Sequence, residues 1–258
     1  DAAWPNWHPR TARNVRRSVI HDRLAAAGAH FAVSSGWEYP EWFAAPGADP
    51  EVRLGWDRDD TFAIQAAEHR VVREAVGMLD MSLMAKFLVQ GRDAERVLGR
   101  ICANDIAVPV GRIVYTQWLN DRGGVEADVT VTRLAEDRFL VVTTGTQTVR
   151  DLDWLRRQIS PDAHVTVTDV TSGEAVIAVM GPRSRELLGS MTDADLSNDE
   201  FPFGAVREID LGLAFVRAAG LPYGTLKRVE LGRALAGEPP LHMLYEPPSG
   251  LTHAEVEP

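Results

Sequence analysis

A single cysteine, only two lysines and the lack of any long apolar run are the scarcities of this 258-residue sequence. With Cys102 alone, no internal disulfide framework is possible, which argues against a secreted scaffold and for a reducing compartment: the cytoplasm, or the mitochondrial matrix of a eukaryote. No apolar stretch approaches the roughly 20 residues a membrane helix needs, so no membrane association is expected. The opening DAAWPNWHPR has neither the apolar core of a signal peptide nor an initiator Met, and it reads as the start of a piece processed or excised from a longer chain. Neither G-x-G-x-x-G nor a P-loop occurs, so the usual sequence signatures of a dinucleotide or nucleotide-phosphate site are missing. The seven histidines show no metal-ligand spacing, no metal is expected, and His21-Asp22 reads as a surface pair. The net charge of -10 argues against a nucleic-acid partner, because such binding draws on basic side chains. The cluster Arg10, Arg13, Arg16 and Arg17 therefore reads as a solvated or interdomain face.

What is present is an ordinary globular composition, 45% apolar and 25% charged, long enough for one large domain or two small ones. Residues 1–60 are rich in Trp, Pro and Gly; they read as a connector with a short helix over Ser18 to Gly28 and the ring-rich segment GWEYPEWF. Ala67, Val71, Ala75 and Met78 recur at helical spacing, which predicts a helix over about 66–77. A strand over Ala85 to Gln90 precedes a helix over about 93–103, with Ala94, Val97, Leu98 and Ile101 on one stripe. Strands over 112–119 and 125–134 flank Asn120-Asp121-Arg122-Gly123-Gly124, a hairpin signature. Further strands are expected over 138–144, 165–170, 175–180, 207–209 and 213–218, with helices over 148–159 and after Gly181. Hairpins mixed with crossover helices give an α+β protein on mixed or antiparallel sheets. From about Gly220 the prolines at 222, 239, 240, 247 and 248 break the pattern, and a poorly ordered tail with one weak helix over 226–236 is expected.

The strand from Val125 alternates without a break. Val125, Ala127, Val129 and Val131 fall on one face, and Glu126, Asp128, Thr130 and Thr132 on the other. Alternation alone leaves two readings of that polar face: solvated, or lining a cleft with Asp128 pointing into it. Met84, at the start of a strand, and Tyr115, on the first hairpin strand, are each equally at home in packing or against a ligand.

The stretch from Glu68 to Arg150 contains EHRVVREAVGMLDMSLMAKFLVQGRDAERVL, CANDI, GRIVYTQWLNDRGGVEADVTVTRL and RFLVVTTGT. It resembles the N-terminal part of the glycine-cleavage T-protein (aminomethyltransferase) family. Within that family it looks most like the folate-binding domains fused to FAD-dependent dimethylglycine and sarcosine dehydrogenases or oxidases. RNVRRSVIHDRLAAAGA and GWEYPEWF resemble the connector that follows their flavin domain, so the resemblance runs from about residue 10 to 219. It implies tetrahydrofolate as cofactor and a one-carbon unit from a methylated glycine as substrate. The partner it implies is a flavin domain of the same parent polypeptide, with FAD only there. It also implies Asp128 as the catalytic carboxylate, Met84 beside the pteridine ring and Tyr115 against the ligand. Chemistry supports one acid group: a methylene must pass, as an iminium or equivalent, to N5 and N10 of tetrahydrofolate. A fixed carboxylate can orient the folate, accept a proton and stabilise positive charge.

Tyr223 matches the tyrosine that opens the family's glycine-rich folate motif, but the chain then departs from it. Where the family reads like Y-V-G-E-L-G-W-E, this sequence runs Tyr223-Gly224-Thr225-Leu226-Lys227-Arg228-Val229-Glu230. Glu230 keeps the spacing of the pteridine-holding glutamate in a different context. The expected organisation is thus a connector over 1–60, a folate-binding region over 61–219 and a divergent tail over 220–258, without the family's C-terminal β-barrel. The implied function is formation of 5,10-methylenetetrahydrofolate from a demethylation intermediate. The rival readings are a free-standing glycine-cleavage T-protein and a folate-binding relic without catalysis.

Overall fold

The computed structural model describes residues 8–45, 61–212 and 214–219; the expected tail and its helix lie outside them. A short helix α1 (His21–Ala26) leads into the antiparallel hairpin β1 (Ala29–Ser34) and β2 (Trp37–Phe43). The short helix lies within the expected Ser18 to Gly28, and the ring-rich segment forms the second strand of the hairpin. The rings the sequence placed there are its core: Trp37 and Trp42 are buried, and His30 stacks on Trp42 with centroids 5.2 Å apart. The arginine cluster is partly spent locally. Arg13 forms a two-nitrogen contact with the buried carboxylate of Glu38, whose pKa this hydrogen bonding holds below the usual range, and Arg16 lies over Trp37. His21 does contact Asp22, at 3.2 Å, but its ring is buried against Phe31 while Asp22 is exposed.

Helix α2 (Phe62–Glu74) starts earlier and stops sooner than its periodicity predicts, and it buries none of its residues; Val71 is exposed. The reason lies at its C-terminal end. The Ala75 carbonyl accepts the Arg183 N–H, and the chain turns at Gly77 into β3 (Gly77–Asp80), whose ladder with β9 (Ile177–Met180) claims Met78. Non-local pairing thus overrides the helical pattern.

The centre of the molecule is an antiparallel sheet of five strands in the order β5-β6-β7-β4-β8. The strands are β4 (Ala85–Gln90), β5 (Ile113–Leu119), β6 (Val125–Ala135), β7 (Arg138–Thr143) and β8 (Thr166–Asp169). Helices α3 (Ala94–Ile101) and α4 (Thr148–Arg157) bring Ala94, Leu98, Ile101 and Leu155 onto one face of it. There they meet Phe87, Val89, Trp118, Val129, Val131, Phe139 and Val141, the residues that alternation sends inward. Every named strand pair is antiparallel, so the fold is α+β on antiparallel sheets. Helix α5 (Ser184–Gly189) and the hairpin β10 (Val206–Leu211) and β11 (Ala214–Ala219) follow, with Leu196, Phe201, Ala205 and Ile209 as a second cluster. Among the described residues no helix is long and apolar enough to cross a membrane, and no group of three His, Cys, Asp or Glu side chains is arranged to hold a metal.

Candidate functional site

The hairpin β5–β6 is set by its loop. The Asn120 side-chain oxygen accepts the N–H groups of Arg122 and Gly124, the Asn120 backbone closes onto Gly123 and Gly124, and Gly123 supplies the positive φ of 77°. A register shift between Trp118 and Leu119 completes the closure. This pairing puts Gln117 opposite Asp128 and Tyr115 opposite Thr130. All four side chains therefore stand on the face turned away from α3 and α4.

On that face Asp128 is exposed, and each of its oxygens is held. The Tyr115 hydroxyl donates to Oδ2 at 2.9 Å and the Gln117 amide to Oδ1 at 3.3 Å. The tyrosine reaches along the diagonal between neighbouring strands, a span aromatic side chains bridge. Burial, then the hydrogen bond and charge of Asp128, push the Tyr115 hydroxyl up to about 12. Tyr115 thus stays protonated, and a donor, across the physiological range. Glu126, on the same strand face, is engaged differently: Arg150 binds its Oε2 at 2.5 Å and Asn120 its Oε1 at 2.8 Å. Of the two acidic residues on β6, Asp128 is the one whose contacts are both neutral.

The two readings of the polar face each hold in part. The face is open at Asp128 and closes along the strand, with Thr130 half-buried and Thr132 buried, where Ile113 is tied to Gly204. An enclosed wall beside Asp128 is not formed by the described residues. Across the sheet, Tyr115 lies opposite Thr130, Thr130 opposite Val142 and Val142 opposite Lys86. Met84 is half-buried in the turn just before β4, two residues from Lys86 and at the end of the sheet where Asp128 lies, two strands away. Tyr115 and Asp128 are thus brought to one face of the sheet, with Met84 in the turn at the same end; Tyr223 and Glu230 lie outside the described residues.

Two residues near this site escaped the sequence reading. Gln117 could have been found by pairing the strands across the Asn120 to Gly124 loop, which sets it beside Asp128. Lys86 had a signal too, as the one charge in the apolar strand AKFLVQ. A groove lined by Gln90, Gly91, Arg138, His164 and Thr166 lies at the other end of β4, β7 and β8. Six residues of strand, about 20 Å, separate it from the level of Met84.

The chain is similar to known proteins along most of its length. It is 42% identical over 214 residues to the 4-methylaminobutanoate oxidase (formaldehyde-forming) of Paenarthrobacter nicotinovorans, a match covering 82% of this chain and 26% of that protein. It is 34% identical over 196 residues to an aminomethyltransferase of Listeria monocytogenes, covering 76% of this chain and 48% of the other. The chain thus spans about a quarter of the first relative and about half of the second. The solved structure of the glycine cleavage system aminomethyltransferase T from Bartonella henselae superposes with a TM-score of 0.61 at 22% identity. That match covers 87% of this chain and 58% of that one, and it shows a shared fold. The GCVT N-terminal domain model matches residues 20–226, and the chain belongs to that aminomethyltransferase-type family.

Proposed function

We propose that this chain is the tetrahydrofolate-dependent one-carbon transfer module of an FAD-dependent dimethylglycine or sarcosine oxidoreductase. Its product is 5,10-methylenetetrahydrofolate, made from the unit that demethylation releases. In this reading residues 1–60 connect to the flavin domain, 61–219 bind folate, and Tyr223 and Glu230 add contacts to the pteridine. The observation that carries it is an exposed Asp128 carboxylate held by two neutral donors within a chain of this family. A carboxylate has about four acceptor sites, so one bond from Tyr115 and one from Gln117 leave capacity for an incoming N–H.

The residues present suit a pterin. Asp128 offers an acceptor for its N–H groups, the Tyr115 ring offers a flat face, and the Met84 thioether offers a polarizable apolar contact. Tetrahydrofolate, when bound, supplies the two nitrogens, N5 and N10, that carry the one-carbon unit. Asp128 orients that edge, accepts the proton released as the C–N bonds form and opposes the positive charge of the incoming carbon. Tyr115 and Gln117 hold the carboxylate in place.

Asp128→Asn keeps the shape and removes the base. In the polypeptide that carries the oxidising flavin partner, this substitution is expected to lower folate-product formation about 100-fold, the scale of a lost general base. Amine oxidation is expected to stay unchanged. Equal yields of methylenetetrahydrofolate from D128N and wild type overturn the proposal.

A second reading, a folate-binding relic without transfer activity, is favoured by the departure from the family motif between Tyr223 and Glu230. Calorimetric titration with tetrahydrofolate separates the two. A micromolar Kd, about -8 kcal/mol, supports the transfer module, and millimolar or weaker binding supports the relic.

A further inference from the structure

Lys86 has no part in the chemistry above, yet it is the one lysine among the described residues and its side chain is fully buried. Its Nζ donates to two backbone carbonyls, Ser82 O at 2.9 Å and Met84 O at 2.8 Å. Both acceptors belong to the turn between β3 and β4. Other bonds hold the rest of that turn, among them Met81 N–H to Val176 O at 2.8 Å. Ser82 N–H reaches the Asp80 carboxylate, Met84 N–H closes onto Met81 O, and Val176 N–H meets the Ser82 hydroxyl. Two carbonyls two residues apart converging on one nitrogen fix the backbone between them, and with it the direction in which Met84 leaves the chain.

The cost of this arrangement is visible. Burial pulls the Lys86 pKa down to about 8 against the opposing charges of Glu174, Asp169 and Asp80, and Glu174 is itself shared with Arg217 at 3.2 Å. Taking the ammonium away would lift this burial cost but leave the Ser82 and Met84 carbonyls without their donor. What the ammonium secures here is the geometry of those two carbonyls.

We infer that Lys86 is a positioning residue: its ammonium clamps the Ser82 and Met84 carbonyls and so fixes the turn that presents Met84 at the end of the sheet where Asp128 lies. What Met84 then touches rests on the folate reading; the clamp itself does not.

Lys86→Met and Met84→Ala, singly and together in the full chain, test it. In K86M the melting temperature is expected to stay close to that of wild type, because relief of the buried charge offsets the two carbonyls left without a donor. Amide exchange at Ser82 and Met84 is expected to rise about tenfold, the scale of one lost charged hydrogen bond, while Val129 and Val131 keep their protection. Tetrahydrofolate affinity should fall about tenfold in K86M and by a similar factor in M84A, and the double variant should lose no more than either single one. Unchanged exchange in the turn, additive losses of affinity, or loss of the fold in K86M would each overturn the inference. If wild type itself binds no tetrahydrofolate, the folate reading falls, and the exchange rates alone decide whether the clamp exists.

Discussion

The carboxylate of Asp128 and the ammonium of Lys86 face the same side of one sheet, yet their surroundings differ completely. Asp128 is open to solvent, while Lys86 is sealed under the turn it anchors. The burial of Lys86 has a measurable consequence for stability. Its folded pKa, about 8, lies below the ordinary 10.5, so above pH 8 the unfolded chain holds more protons than the folded one, and stability rises with pH. Cys102 and Tyr115 act oppositely. Burial raises each to about 12 from ordinary values of 9.0 and 10.0, so their contribution is complete below those values and is lost toward pH 12. Between pH 8 and 9 the Lys86 gain of about 1 kcal/mol is partly offset by the unfolded Cys102 thiol, so denaturant unfolding should show a net gain of about 0.5 kcal/mol in wild type and none from Lys86 in K86M. A flat wild-type profile across that unit would refute the assignment. A second residue-scale prediction concerns Tyr115. In D128N its hydroxyl loses a charged acceptor, so its phenolate absorbance should appear at lower pH than in wild type; an unmoved titration would mean that Asp128 does not hold it.

At the scale of elements, close backbone approaches decide what the sequence can change. Gly145 opens the 3-10 turn between β7 and α4, and a Cβ built there would lie 2.2 Å from the Leu83 carbonyl oxygen. The turn carrying Met84 thus rests directly on that glycine. Gly145→Ala must displace one backbone or the other, and it should cost about 2 kcal/mol or more while weakening folate binding in parallel. Thermal and chemical unfolding with a parallel titration check this, and an alanine variant of wild-type stability and affinity would contradict the contact. Helix α3 behaves more simply. Its stripe of Ala94, Val97, Leu98 and Ile101 is buried as the spacing predicts. Leu98→Ala should cost about 2 to 5 kcal/mol, read by denaturant unfolding, through lost burial and the cavity left behind.

For the whole molecule, the single thiol is a built-in reporter. Cys102 packs against the main core, and burial pushes its pKa up to about 12. Alkylation at pH 8 should be slow in the native protein and fast once unfolded, so the labelling rate should track global or large sub-global opening. Labelling as fast as that of a free thiol would show that the sheet and α3 separate readily. The family relationship acts at this scale too. The chain covers 26% of the oxidase and 48% of the aminomethyltransferase it matches, so the proposed oxidation of a methylated amine concerns a larger assembly than these residues.

Much of the architecture could be read from local pattern, because local physics produces it. The alternation of β6 buried Ala127, Val129 and Val131 as written, the Asn120 to Gly124 loop closed the hairpin, and β4 runs from Ala85 to Gln90 as expected. Resemblance to the family proposes Asp128 and Met84 as site residues, a role that periodicity alone does not assign and that the D128N and M84A variants test. What only the tertiary structure decided depends on pairing across long separations. The capture of Gly77–Asp80 by a strand a hundred residues on ended the helix before Met78. Strand register set Gln117 against Asp128, and the covering of one half of a polar sheet face turned Lys86 into a clamp while leaving Asp128 open. A side chain's facing is fixed by its own strand, but what lies over it is fixed by distant chain.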